Sequence, residues 1–315
     1  MIRLSALDPM PTDLRGAIIA LGNFDGVHQG HQQVIAQARA LAAERGAPLV
    51  VATFDPHPVR YFAPHVPPFR LTSLDQREEL FAALGASAML VFRFDKALAE
   101  TSAEEFVDRI LAERLAAGGV VTGHDFTFGH GRRGDAAMLR TRCEALDIAT
   151  RIVAPVEDAG EVVSSTRVRK ALEAGNPQEA ARLLTRPFAI RGEVIHGAKL
   201  GRSIGFPTAN LLMDRYLRPK FGIYAVTGRV LTGPLANGPP LKGAANLGVR
   251  PSFDPPTELL EPFFFDFSGD LYGQTVEVAL HHFIRPEEKY DSLDELTAQI
   301  ARDCDEARRL LADIA

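Results

Sequence analysis

The chain has 315 residues, enough for about two domains that each bury a core of their own. A formal net charge of −5 excludes a globally basic nucleic-acid surface, while 46% hydrophobic and 24% charged residues are ordinary for a soluble globular protein. The two cysteines, Cys143 and Cys304, match no metal-ligand spacing and suit a reducing cytoplasm. No signal peptide or membrane-length apolar run is legible, so the sequence predicts a cytoplasmic protein without a membrane partner.

The first half alternates strands and helices. Residues 17–21 read as a buried strand, followed by a glycine-bearing turn and a helix from Gln29 to a stop at Gly46. A continuous apolar strand follows at 49–54 and another at 88–92. Ser73 with Gln76 and Ser102 with Glu105 have capping-box spacing. Such alternation predicts a parallel sheet with right-handed crossovers, whose ligands lie beyond the carboxyl ends of the strands.

Three candidate segments fall at such ends. In the first, GNFDGVHQGH over 22–31, Gly22, Gly26 and Gly30 allow a tight turn and close approach of a ligand to the backbone. His28 and His31 stand three apart at the helix start, where free N–H groups and the helix dipole favour phosphate. HxGH after a strand resembles the nucleotidylyltransferase superfamily, which moves AMP from ATP or CMP from CTP. The full ten residues are similar to the first half of bacterial bifunctional FAD synthetases. That resemblance implies ATP contacts from Gly22, Asn23, Phe24, Asp25, His28, Gly30 and His31, with both histidines gripping the triphosphate.

The second is the pair TFDPHPVRYF (53–62) and GHDFTFGHGRRGD (123–135). Aromatics there suit a flat heterocycle, and Arg60 a phosphate. Phe126 and Phe128 lie on one side of an extended segment, and Asp125 can accept from a ring N–H. The latter segment resembles the flavin-binding stretch of FAD synthetases. The flavin set is Phe54, Pro56, Arg60, Phe62, Asp125, Phe126 and Phe128; no spacing supports a metal there. The third is VSSTRVR (163–169), expected to follow a strand and open a helix to about Ala174. It resembles the superfamily's second motif, ISSTxxR, which implies phosphate contacts from Ser164, Ser165, Thr166 and Arg169.

Near Arg186-Pro187 the alternation stops, which divides the chain into domains at 1–185 and 186–315. Strands are expected at 188–196, 209–213, 222–231, 241–247, 262–267 and 275–284, enough for a small closed barrel. Ser292 with Glu295 caps a last helix with an apolar stripe of Leu293, Leu296, Ile300, Ala307, Leu311 and Ile314, expected to pack on the barrel. His281-His282 read as solvated strand residues.

Within this half, GAKLGRSIGFPTAN (197–210) is turn-rich, and Pro207 excludes a central strand. Gly197, Gly201 and Gly205 with Lys199 and Arg202 make a basic flap suited to ATP phosphates. Thr208 and Asn210, two apart, form half a site for Mg²⁺. PTAN in this setting resembles riboflavin kinases, as do KFGIYAV (220–226), NLGVRPSF (246–253), DLYG (270–273) and FIRPEEKY (283–290). The resemblance makes Glu261, five residues before Asp266 and ahead of a strand FFFDF, the catalytic base. It places Phe206 and Arg285 near flavin and Pro207 near ATP.

The fold expected is α/β: a Rossmann-like nucleotidylyltransferase domain with a parallel sheet, then a six-stranded β-barrel of riboflavin kinase type with a final helix. The resemblance implies a bifunctional enzyme that uses ATP and Mg²⁺ to turn riboflavin into FMN and FMN into FAD, with small molecules as its partners. Two alternatives stay open at this stage. One is a first domain that serves another nucleotidyl acceptor, the other a non-catalytic flavin-binding regulator. The sequence leaves the oligomeric state open, a homo-oligomer included.

Overall fold

The computed structural model describes residues 1–197, 204–236, 238–250 and 257–314. The chain divides into two compact units, Met1–Pro67 with Leu74–Ser164, and Pro68–Ser73 with Ser165–Ala315.

The first unit is built on a parallel sheet of six strands: β1 (Ile2–Ser5), β2 (Ile18–Leu21), β3 (Leu49–Asp55), β4 (Ala88–Arg93), β5 (Gly119–Gly123) and β6 (Ala149–Val153). Their order is β1-β4-β3-β2-β5-β6. Successive side chains of β2 serve opposite faces. Ile19 and Leu21 join one core with Val50, Leu90, Phe106 and Leu111, while Ile18 and Ala20 join the other with Val34, Ile35 and Phe81. Burial on both faces is why these strands read as unbroken apolar runs. Helix α1 (Gln29–Arg45) ends where Gly46 turns left-handed at φ 60°, a conformation glycine adopts freely. The box at Ser102 and Glu105 is made in both directions and opens α2 (Ala103–Glu105), which continues as a wider π-helical run, Phe106–Arg114. Strand β1 is absent from the sequence reading, because four residues are too few to carry a period.

The strand order reverses at β2, which has β3 on one side and β5 on the other. Chain leaving β2 and β5 therefore flanks the crevice where open α/β sheets bind ligands. Residues 22–28 and 124–135 are those segments. The second motif follows a strand as expected, but that strand, β8 (Glu161–Val162), pairs only with β7 (Glu157–Asp158) in a hairpin inserted after β6 and is not part of the six-stranded sheet.

In the second unit, α3 (Ser165–Glu173) and α4 (Pro177–Leu184) precede the strands, and the Asn176 side chain caps α4 by accepting from the Glu179 N–H. Among the described residues six antiparallel strands follow: β9 (Phe188–Glu193), β10 (Leu211–Leu212), β11 (Gly222–Val230), β12 (Leu241–Arg250), β13 (Thr257–Phe264) and β14 (Thr275–Arg285), in the order β10-β13-β12-β11-β14-β9. The Ile195 N–H donates to the Asn210 carbonyl at 2.9 Å, which brings the two edges together and nearly closes a barrel. Inside, the Phe264 ring fills space left by Gly228 and Gly243; a Cβ at Gly228 would stand 2.3 Å from it. Helix α5 (Leu293–Leu310) packs Cys304 and Ala307, with Leu311 beyond its end, over Ala225, Ala244 and Phe265. Leu293 is an exception to the expected stripe, standing exposed in the first turn.

Two expectations are corrected here. Strand β13 is not 262–267 but runs through Pro262 from Thr257, so Glu261 lies inside a strand rather than ahead of one. Proline is tolerated because its carbonyl accepts from the Ala209 N–H at 2.9 Å, so its missing N–H faces short β10 rather than β12. His281 and His282 are not simply solvated. His281 sits where the β11–β14 register shifts, shares a 2.9 Å hydrogen bond with Thr227 Oγ1, and has its pKa pushed down to about 4 by burial and then by neighbouring His282. His282 bonds Gln178 at 2.7 Å.

A depressed histidine pKa means the unfolded chain binds more protons than the folded one between the two values. Stability is complete above about pH 6.5 and declines as pH falls toward about 4. Replacing His281 by Gln, which keeps a side-chain hydrogen bond to Thr227 but does not titrate, is expected to flatten that decline. Urea melts of both proteins at pH 7.0, 5.5 and 4.5 check it; parallel curves would remove His281 from the acid sensitivity.

Candidate active sites

The Gly22–His28 loop is held in an uncommon backbone conformation. Phe24, Gly26 and Val27 take φ of 50°, 91° and 48°, and a β-branched residue such as valine pays strain there. The Asn23 carbonyl anchors the loop. It accepts from Thr53 Oγ1 at 2.7 Å and from Arg77 Nη1 at 3.3 Å, while Arg77 also donates to Thr53 Oγ1 at 2.8 Å. Arg77 is 2% exposed. Phe24, itself buried, meets the His31 ring edge-on at 5.2 Å, and the His28 and His31 rings stack at 3.7 Å. Gly30 makes this fit possible, since a Cβ there would lie 3.2 Å from His28 Cε1 and 3.5 Å from the Val163 carbonyl. The two histidines thus form one paired surface at the start of α1, and the second motif begins against it.

Aromatic contacts join the two flavin-candidate segments. Phe126 stacks on Phe128 at 5.7 Å, Phe128 meets Phe106, Phe106 meets Phe92, and Phe92 stacks on Phe54 at 5.2 Å. Phe54 touches Phe94, which carries Tyr61 and Phe62 at 5.4 and 5.6 Å. Tyr61 and Phe62 at one end of this ladder are 37% and 64% exposed, and Phe94 and Phe126 are partly exposed. Phe54 and Phe128 are largely buried, as members of the core on that face of the sheet. The Arg60 guanidinium donates to the carbonyls of Pro64, Val66 and Pro67 and so braces its own loop. Asp125 is exposed beside Gly123. Pro56 precedes the first turn of Pro58–Phe62, a helix that buries no residue of its own.

Ser164 closes the first unit and Ser165 opens α3 in the second. Within the second unit, Arg169 donates to the Phe69 carbonyl at 2.9 Å and lies 5.2 Å over its ring. A groove of about 520 Å³ runs along edge strand β6, lined by Gln33, Gln37, Arg140 and Val153–Val156 among others. Gln33 stands about 200° around α1 from His31, so this groove is not the histidine surface.

In the barrel, strand register assembles the second site. Leu211 faces Leu260, and the Ala209–Pro262 hydrogen bond carries that register on, which sets Asn210 opposite Glu261. Glu261 faces Asn246, Asn246 faces Ile223, and Ile223 faces Arg285. Thr208, Asn210 and Glu261 therefore share one outer face, with Phe206 edge-on to Phe263 at 5.3 Å. The Asn210 side chain presses on Gly197, where any Cβ would fall 2.6 Å from its amide. Arg285 is held by Asp303, donating at 2.9 and 2.7 Å, and this bond is the main reason its pKa rises. Asp303 is 4% exposed. Lys199, Gly201 and Arg202 lie outside the described residues; Gly205 and Pro207 are exposed.

Comparison with known proteins agrees with this division of chemistry. A family model described as FAD synthetase matches residues 10–167, and one described as riboflavin kinase matches 184–311. The bifunctional riboflavin kinase/FMN adenylyltransferase of Escherichia coli strain K12 is 39% identical over 91% of this chain and 90% of its own. The chain belongs to the bifunctional riboflavin kinase/FMN adenylyltransferase family. The Haemophilus influenzae member is 38% identical over 94% of each chain. A crystal structure titled macrolide-efflux protein from Streptococcus pneumoniae matches with a TM-score of 0.85 at 33% identity, covering 98% of this chain and 99% of that one. No described helix here is long and apolar enough to cross a membrane. Among the described residues no group of three His, Cys, Asp or Glu could hold a metal.

Sequence reasoning missed Arg77 and gave no role to Thr53, Asn246 or Glu287, which it quoted only as members of the strings 53–62, 246–253 and 283–290. Arg77 carries no local motif signal, and the partners of all four are set by contacts made only on folding. Arg77→Met is expected to loosen the Asn23 carbonyl and lower kcat/KM for FAD formation from FMN about tenfold, the scale of one hydrogen bond from a charged donor. Phosphorylation of riboflavin by the same variant should be unchanged. Initial rates for both reactions check it, and equal losses would mean a general folding defect.

Proposed function

We propose that the chain performs two successive ATP-dependent steps on flavin. Riboflavin is phosphorylated to FMN in the barrel, and FMN receives AMP from ATP in the parallel-sheet domain to give FAD and pyrophosphate. The observation that carries this is the order of the two family matches, each over the unit whose geometry suits that chemistry. We keep the domain division at 1–185 and 186–315, with support from the family matches, although α3 and α4 group with the barrel unit.

Adenylyl transfer needs position and charge stabilisation rather than a protein nucleophile. The FMN phosphate oxygen attacks the α-phosphorus and pyrophosphate leaves. The stacked His28 and His31 and the N–H groups at the start of α1 hold the triphosphate, with Gly22–Asp25 against the nucleotide. Ser164, Ser165, Thr166 and Arg169 serve as a phosphate-binding motif, as the resemblance implies. Exposed Phe62 and Asp125 and partly exposed Phe126, with Phe54, Pro56, Arg60 and Phe128 behind them, are the groups suited to the flavin ring, its N–H and its phosphate.

In the kinase step Glu261 takes the proton of the terminal ribityl hydroxyl, whose oxygen bonds the γ-phosphorus as ADP leaves. Thr208 and Asn210 beside it offer the hard oxygen donors that Mg²⁺ prefers, and the ion would neutralise phosphate charge there. Phe206 and Arg285 border this face. Buried, unlinked Cys143 and Cys304 support a cytoplasmic location.

Incubation with riboflavin, ATP and Mg²⁺ followed by chromatography should show FMN rising, then FAD. Product stopping at FMN would leave the kinase and send the first domain to another acceptor. Glu261→Ala should abolish FMN formation while FMN still becomes FAD. Conversely, His31→Ala should let FMN accumulate, and undiminished FAD output would take His31 out of the mechanism.

A further inference from the structure

Asn246 stands on β12 directly opposite Glu261. Because the Pro262 carbonyl turns toward Ala209, the preceding Glu261 turns its backbone groups toward Asn246, a pairing with Cα atoms about 5.5 Å apart. Asn246 Nδ2 donates to Glu287 Oε1 at 3.2 Å. A carboxylate only accepts, so this bond fixes which end of the amide is nitrogen. Glu287 reaches that place because residue 248 is glycine; a Cβ there would lie 2.2 Å from Glu287 Oε1. The other end, Asn246 Oδ1, is buried and has no hydrogen-bond partner among the described residues. A buried acceptor left over is unfavourable unless a ligand supplies a donor.

We infer that Asn246 Oδ1 accepts a hydrogen bond from a secondary ribityl hydroxyl of riboflavin, with Glu287 as the positioning residue that orients the amide. This rests on the kinase reading above. The donor must be near the hydroxyl that Glu261 deprotonates, since the two side chains are one strand apart. The neighbouring hydroxyls of the same polyol meet that distance. The flavin ring N–H lies beyond the whole five-carbon chain, ATP phosphates have no proton to give, and the adenosine hydroxyls lie across the triphosphate from the attacked phosphorus. Asn246 thus selects for a hydroxylated chain and holds its terminal oxygen toward Glu261.

Quenching of riboflavin fluorescence measures binding without turnover. Asn246→Leu should weaken riboflavin binding about tenfold and raise its KM more than it lowers kcat, leaving KM for ATP and FMN-to-FAD conversion unchanged. Glu287→Ala should act in the same direction, and Glu287→Gln, which keeps an acceptor oxygen, should restore binding. A flavin whose side chain lacks the secondary hydroxyls should bind wild type and Asn246→Leu equally. Unchanged riboflavin affinity, an equal loss for the deoxygenated flavin, or an altered Mg²⁺ requirement in its place would overturn the assignment. Riboflavin binding that depends on Asn246 in a wild-type protein that makes no FMN would sink the kinase reading and leave this contact standing.

Discussion

The hydrogen bond from the Ala209 N–H to the Pro262 carbonyl does more for the barrel than its length suggests. It extends the β10–β13 pairing into the PTAN segment and so fixes which residues of that segment meet Glu261. Side chains alternate along a strand, so a slip of one residue would turn Glu261 inward and Leu260 outward. Leu260, Pro262 and Phe264 are buried, and Phe264 fits only against Gly228 and Gly243. Core packing therefore enforces the register, and the register sets the row of Asn210, Glu261 and Asn246. Chemistry on the outer face is specified by hydrocarbon on the inner one.

The first unit solves a similar problem by strain and burial. A loop with Phe24 and Val27 at positive φ would not hold itself. The Asn23 carbonyl, gripped by Thr53 and buried Arg77, supplies an anchor at one end, and the stacked histidines at the α1 start supply the other. Both ends lie where the strand order reverses, so sheet topology and local anchoring meet at one place, the one proposed above for phosphate.

What was legible in the sequence follows from how local each signal is. GNFDGVHQGH, the Ser102 box and the Gly46 stop depend on neighbours within a turn or two, and all appear where expected. The parallel sheet and the barrel were legible because strands repeat. What was not legible has a common cause in distance along the chain. The ring contacts of Phe54 with Phe92 and of Phe128 with Phe106 join residues far apart in sequence, so no local pattern announces them. The bonds of Arg60 to its own loop form only as that loop folds back onto it. The π-helical run and the register shifts in β14 leave no trace in hydrophobic period, so the orientation of His281 could not be read from alternation. Proline inside β13 misled the strand boundary, because only the pairing partner reveals that its missing N–H faces a strand of two residues.

Helix α5 shows how the same sheet face can serve both packing and chemistry. The helix and the residues just past its end cover Ala225 and Ala244, with Phe263 and Ile284 packed beside them. Two alanines facing each other across β11 and β12 admit close approach of the helix where larger side chains would hold it off. One step of two residues along the same face, the row becomes Ile223, Asn246, Glu261 and Asn210, and the residue types change from apolar to hydrogen-bonding. The partly buried Arg285–Asp303 pair joins the end of β14, in this polar row, to the helix. Such a pair contributes little net stability once desolvation is counted, but it is directional, as hydrocarbon contact is not. It registers the helix against the row, so the apolar grip stops short of Glu261 and leaves that carboxylate half-buried beside partners that can be used by substrate.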